Sequence, residues 1–340
     1  MLTQSTPRTD IRLKAALSAL LACLCVASLA TGPAHLSIGE LVQGLLQGEG
    51  VAGIIIRDIR LPRLLLSLGV GASLGLCGAA LQGLLRNPLA EPAIFGAPQA
   101  AAFGAVAILY SGLANAVSWA LPAAAILGAA LSVALVLVAA GRRAGIITLI
   151  LAGLAVGSLA GAAISLAINL SANPFAVTEI IFWLMGSFED RSMQHVALAA
   201  PCLMISSLIL LRCGPSLRLL TLGDDTARSL GLNVTHLRLW IVTAVAIGVG
   251  GGVAVSGAIG FVGLIAPHLM RPLVGGDPQR VLVPSSLAAA ALLTAADIGV
   301  RLIPATSEIK IGVVTSLIGV PLFLWLVWTR RGLFSTSDAP

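Results

Sequence analysis

The chain has 340 residues, of which 58% are hydrophobic and 10% charged, with a formal charge of +6. An average soluble domain carries about 25% charged residues, so a water-covered globule is excluded for want of polar surface. The basic residues are scattered between apolar runs rather than clustered, which excludes a nucleic-acid footprint and points to membrane topology.

A helix needs roughly 20 apolar residues to cross a hydrocarbon core. Taken in chain order, segments near 13–31, 64–85, 93–110, 117–140, 146–168, 194–211, 238–258, 260–270, 281–299 and 311–329 are predicted as spans. None alternates as a barrel strand would. The expected fold class is therefore all-α, a polytopic membrane protein with about ten transmembrane helices in one domain covering 1–340. With both ends in the cytoplasm, fourteen of the 20 basic residues fall inside and six outside (Arg57, Arg60, Arg63, Arg191, Arg301 and Lys310). Dropping the short eighth span would move Arg330 and Arg331 outside, against the positive-inside rule. Residues 1–12 and 330–340 then form cytoplasmic tails, and 213–236 a cytoplasmic loop. Arg12 and Lys14 before the first run also fit a secretory signal. The run suits a span, and its loss would leave an odd number of helices, so a retained first helix is expected.

Gly71 and Gly75, and Gly153, Gly157 and Gly161, recur every four residues, a spacing that lets lipid-embedded helices approach closely. The run Gly250-Gly251-Gly252 either packs or loosens its helix. The five cysteines lack metal-ligand spacing and read as small apolar residues. His35, His195, His236 and His268 are dispersed, with structural roles as the default. No phosphate-binding G-x-x-x-x-G-K-[ST] occurs, nor any catalytic triad or paired-carboxylate constellation. Ionisable groups inside the spans, the mark of ion-coupled transport, are not expected. Asp297 sits near a helix end with Arg301 four residues on, a spacing that permits a pair. A pore without energy-coupling chemistry must be driven from outside itself.

Two polar places stand out. Inside, Gly223, Asp224, Asp225, Thr226, Ala227, Arg228, Ser229, Leu230, Gly231, Leu232 and Asn233 suit a short surface helix, capped by Asp224 or Asp225 and ended by Gly231. It would serve either as a handle for a soluble partner or as a plain connector. Outside, Arg60, Arg63 and Arg301 run against the topology rule. Either an acidic partner or local acids such as Asp58 and Asp297 would hold them.

At these segments the sequence resembles the FecCD-type permeases of binding-protein-dependent ABC importers, which carry iron-siderophores, haem or cobalamin. The matching stretches are Arg60-Leu61-Pro62-Arg63, Arg86-Asn87-Pro88-Leu89-Ala90-Glu91-Pro92, Leu151-Ala152-Gly153, Phe182-Trp183-Leu184-Met185-Gly186-Ser187, the 222–233 loop, Gly257 through His268, and Gly312 through Pro321. They occur in the family order from about residue 55 onward. The resemblance implies a type II ABC importer permease, non-catalytic, in the bacterial inner membrane and paired with a second copy or a paralogue. Two copies of an ATP-binding subunit would carry ATP and Mg, with no cofactor on this chain, and a periplasmic substrate-binding protein would supply the cargo. By residue match, Gly223–Asn233 would engage the ATPase, Arg60, Arg63 and Arg301 would dock the binding protein, and Asn87, Leu89, Ile146 and Ile147 would line the cytoplasmic gate. Lys310 departs from the family, where proline is common. An iron-siderophore is the expected cargo, with haem or cobalamin as the alternative. An ion-coupled secondary transporter and a membrane enzyme are the rival readings, and both lack supporting residues in the spans.

Overall fold

The computed structural model describes residues 7–34, 36–46, 48, 50–115, 117, 119–141, 145–304 and 308–329. The 330–340 tail, residues 1–6 of the first tail, and Arg142, Arg143, Arg330 and Arg331 of the charge count lie outside the described residues, as does His35.

Fourteen helices and no strand occur among the described residues. They are α1 (Pro7–Ala30), α2 (Ile38–Leu46), α3 (Gly50–Leu84), α4 (Ala97–Ser111), α5 (Ala120–Ala140), α6 (Ile146–Leu170) and α7 (Pro174–Leu184). They continue as α8 (Met193–Arg212), α9 (Gly214–Leu220), α10 (Asp224–Ser229), α11 (Val234–Ser256), α12 (Val262–Met270), α13 (Pro278–Leu302) and α14 (Ile311–Thr329). Seven of them (α1, α3, α5, α6, α8, α11 and α13) are long and apolar enough to cross a membrane. The remaining three expected spans are the shorter α4, α12 and α14. The eighth segment has nine helical residues, about 14 Å at 1.5 Å per residue, half of a crossing. Helix α7 was not expected as a separate element. Asn173 caps it by accepting the N–H of Phe175, and Pro174 opens it, a start signal that its brief apolar run carries in the sequence.

Helices α3 and α11 form the centre. The first packs on α8, α11, α12 and α13, the second on α3, α4, α5 and α8. Glycine makes this possible. A methyl group added at Gly78 would overlap the carbonyl oxygen of Gly263 in α12, and one at Gly71 would lie 2.8 Å from the Ala289 carbonyl oxygen in α13. The expected small-residue spacing is thus a set of backbone-to-backbone contacts. In α6 it holds for Gly153 and Gly157, which abut Phe95 and Gly96, whereas Gly161 faces open space. The Gly250–Gly252 run packs on Ala129, Cys202 and Val70, and α11 runs unbroken through it.

Helix α3 carries a wide π turn at Ile55–Arg60, where the Leu61 N–H bonds to the Ile56 carbonyl. Pro62 has no N–H to offer the preceding turn, and the wider turn absorbs that loss. Two connections between helices of the bundle break the helical pattern. Residues 86–96 connect α3 to α4 through a 3₁₀ turn at Pro92–Phe95, and 257–261 connect α11 to α12 with φ of 68° at Gly257 and 66° at Phe261. Gly96 abuts Gly153 and Gly157, which lie about 10–16 Å along α6 from its first residue. Helix α4 therefore starts about two to three turns along α6, which accounts for its 15 residues.

The expectation that the spans lack buried ionisable groups is corrected. Asp297 in α13 is wholly buried, and Arg60 and Arg63 in α3 are 3% and 7% exposed. Each is partnered, in Arg63's case by residues 234 and 245 positions away, a separation that span-by-span reading does not reach.

Candidate functional site

Three sets of residues were expected to act, and the structure treats them differently. The external arginines converge on one charged cluster. Arg63 donates from Nε to Asp297 Oδ1 at 2.8 Å and from Nη1 to Glu308 Oε2 at 2.9 Å, with a second bond from Nη2 to Glu308. Arg301 Nη2 lies 2.9 Å from Asp297 Oδ2, and its Nη1 donates to the carbonyls of Ser28 and Thr31 at 2.9 Å each. Arg60 donates to the carbonyls of Leu29, Ala30 and Ala34. Leu29 and Ala30 end α1, whose terminal carbonyls have no helical partner and favour a cation. The expected Asp297–Arg301 pair is present. Of the two sources of anchoring weighed for these arginines, this conformation displays the internal one.

A cavity of about 470 Å³ opens beside the cluster, lined by Arg60, Arg63, Arg301, Glu189, Asp190 and Glu308 among others. Lys310, flagged as a departure from its family, pairs with Glu189 and lies 5.8 Å from the Phe182 ring centroid. It links the start of α14 to the end of α7. Arg191, beyond the spans, is half-buried, and the partial loss of water pushes its guanidinium pKa down against the pull of Asp190 and Glu189. Glu189, Glu308 and Arg191 were missed in the sequence because they lie in short connections without motif spacing.

At the opposite end, α10 forms as expected, with one correction. Neither Asp224 nor Asp225 is its N-cap. Gly223 takes that place at φ 102°, and the two aspartates fill the first turn, where negative charge suits the helix dipole. Gly231 ends the helix at φ 87°. Its N–H bonds to the Arg228 carbonyl at 2.9 Å and that of Leu232 to Ala227 at 3.0 Å, the paired bonds of a Schellman cap. Ala227 is buried as the anchor, while Asp225, Thr226, Arg228, Ser229 and Leu230 face outward. Asn233 caps α11 by accepting the His236 N–H at 3.0 Å. Asp224 binds two arginines, Arg86 and, at 2.5 Å, Arg238.

The gate residues fall in two places. Asn87 is exposed, and its Oδ1 accepts the Leu89 N–H at 2.9 Å, so the two share one turn. Ile146 packs on the apolar core at the start of α6, and Ile147 beside it is 70% exposed. No group of three or more His, Cys, Asp or Glu residues fit to hold a metal occurs among the described residues.

A family model described as the FecCD transport family matches residues 20–329. The chain belongs to that family. Among curated FecCD-type relatives, it is 37% identical over 325 residues to the vitamin B12 import system permease protein BtuC of Citrobacter koseri, covering 95% of this chain and 96% of that one. The BtuC of Klebsiella pneumoniae is 38% identical over 317 residues, covering 93% of both chains. A solved inward-facing structure of a transporter assigned to the metal-chelate type of ABC transporter aligns at a TM-score of 0.85 with 34% identity, over 94% of this chain and 99% of that one. The FecCD match makes this chain a multi-pass permease of the ABC importer class, as the seven ordered motifs implied.

Proposed function

We propose that this chain is the permease subunit of an ATP-driven importer that moves a metal chelate across the bacterial inner membrane by alternating access. The observation that carries the reading is α10. It is a six-residue helix, fixed at both ends by glycines and by the Asp224 ion pairs, that turns a polar face to solvent. Such a helix is a rigid handle for a partner, and the partner proposed is a separate ATP-binding subunit, two copies per assembly, which carries ATP and Mg. In this reading the chain itself binds no cofactor and catalyses no reaction.

The second permease copy would sit against α7 and α14. These helices pack lightly on the bundle and leave Phe175, Phe182, Leu317, Leu324 and Trp325 exposed. The docking of a periplasmic binding protein at Arg60, Arg63 and Arg301 is supported by the charged cavity between them. Acidic residues of such a partner would exchange with Glu308 and Asp297 for the same guanidinium groups. Replacing Arg301 with Gln should then weaken binding-protein capture while Arg301→Lys retains it, and equal capture by both variants removes that assignment.

For the cargo, the relatives favour cobalamin over the iron-siderophore expected from the sequence. Both BtuC matches span nearly the whole chain, and no residue described here selects a siderophore. The test is uptake into proteoliposomes holding the permease, its ATPase and its binding protein, with cyanocobalamin and a ferric siderophore offered in parallel. Accumulation that needs ATP and every subunit is expected, with cyanocobalamin preferred. Uptake by the purified chain alone on an ion gradient would overturn the proposal.

A further inference from the structure

The segment 86–92 is anchored at both ends by its own side chains. At its start, Arg86 binds Asp224 in the first turn of α10, and Asp224 is held in turn by Arg238 of α11. At its far end, Glu91 Oε1 accepts the N–H of Phe261 at 2.9 Å. Phe261 is the residue that opens α12, and no side chain of its own first turn caps it. The carboxylate thus satisfies a donor that the helix start leaves free and places negative charge at its positive end. Pro92 packs against Gly263 in the same turn, so a methyl group there would lie 3.1 Å from the proline ring. Arg86 and Phe261 hold positive φ, 48° and 66°. Non-glycine residues keep that conformation only where the surroundings dictate it. A cavity of about 140 Å³, lined by Glu91, Gln99, Ser256 and Gly260, lies beside the contact, so the Glu91 end has room to move. Between the two anchors sit Asn87 and Leu89.

We infer that residues 86–92 form a strut that transmits displacement of α10 to the break between α11 and α12, with Arg86 and Glu91 as its two positioning residues. This inference rests on the coupling role proposed for α10. When the ATPase pushes α10, Asp224 carries Arg86 with it, the Asn87–Leu89 turn shifts, and Glu91 draws on the first turn of α12. The gate and the half-span then move in one step. Glu91 acts as a hydrogen-bond acceptor and stays in place, with no proton transfer required.

The test uses the full complex in proteoliposomes with a cysteine at the gate, Leu89→Cys, labelled by a membrane-impermeant maleimide with and without ATP and vanadate. No cargo is needed. In the parent, labelling should change with nucleotide. Arg86→Gln and Glu91→Ala should each cut that change at least fivefold while the ATPase still co-purifies. Arg86→Lys keeps the charge and Glu91→Gln keeps an acceptor oxygen, and both should retain most of the response. A full response in Arg86→Gln and Glu91→Ala would overturn the strut, as would a Glu91→Gln response as weak as that of Glu91→Ala, which would make the charge itself the requirement. If the parent failed to respond to nucleotide although assembled, the coupling role of α10 would fail instead, a distinct result.

Discussion

Arg63 and Arg228 are the same residue type, each drawn from a motif and each expected to meet a partner, yet the molecule uses them in opposite ways. Arg63 is buried, with its guanidinium divided between Asp297 and Glu308. Arg228 stands in solvent with one loose contact, 3.3 Å to a fully exposed Asp225. A buried pair is dear to break because the remaining charge is stranded in a medium that solvates it poorly. A solvated pair is worth almost nothing, since water competes on equal terms. In this conformation the charge at the Arg63 end is held within the chain, whereas the charge at the α10 end already faces a partner. A motif residue's role is set by what surrounds it.

This contrast can be tested from both sides. The largest effect is expected from Arg63→Met, which leaves Glu308 without its arginine and Asp297 with Arg301 alone. It should lower stability by about 3–5 kcal/mol, read as a fall in Tm in detergent, and an unchanged Tm would break the comparison. Next comes Gly223→Ala. The space around Gly223 is open, so the cost is purely that of a side chain at φ 102°, on the order of 1–3 kcal/mol locally. The measurement is cargo moved per ATP hydrolysed, which should fall while the core keeps its Tm. Asn233→Ala removes the cap of α11 and should cost about 1 kcal/mol, a smaller fall in Tm with assembly retained. The smallest change in stability belongs to Arg228→Ala, below about 0.5 kcal/mol. If α10 is the handle, this variant should nonetheless lower ATP-driven uptake severalfold, and unaltered uptake would make the helix a plain connector.

The spans were legible because each announces itself locally, by apolar length and by the charges that flank it. Gly231 was legible as a helix end for the same reason, and so was the Asp297–Arg301 pair, which lies within one turn. What escaped was non-local or short. Arg63 finds Asp297 across 234 residues, and no spacing rule connects α3 with α13. Helix α7 has 11 residues, fewer than a span window needs. The expectation of Asp224 or Asp225 as the cap failed because glycine could take the extended turn ahead of the helix, freeing Asp224 for two arginines. Glu91 carries no local signal beyond its motif, since its partner is a backbone N–H that becomes free only where α12 begins.

At Gly78 and Gly263 two helices touch backbone to backbone, with no side chain between them to change rotamer. Such a seam can neither slide nor compress, so α3, α12 and α13 have to travel as one solid body. Glycine carries the same kind of contact outward, since a methyl group at Gly257 would lie 2.2 Å from the Trp183 carbonyl oxygen of α7, and one at Gly312 of α14 would lie 2.2 Å from that of Met185. The permease is thus left to move as groups of helices locked at glycine and hinged at the short connections between them.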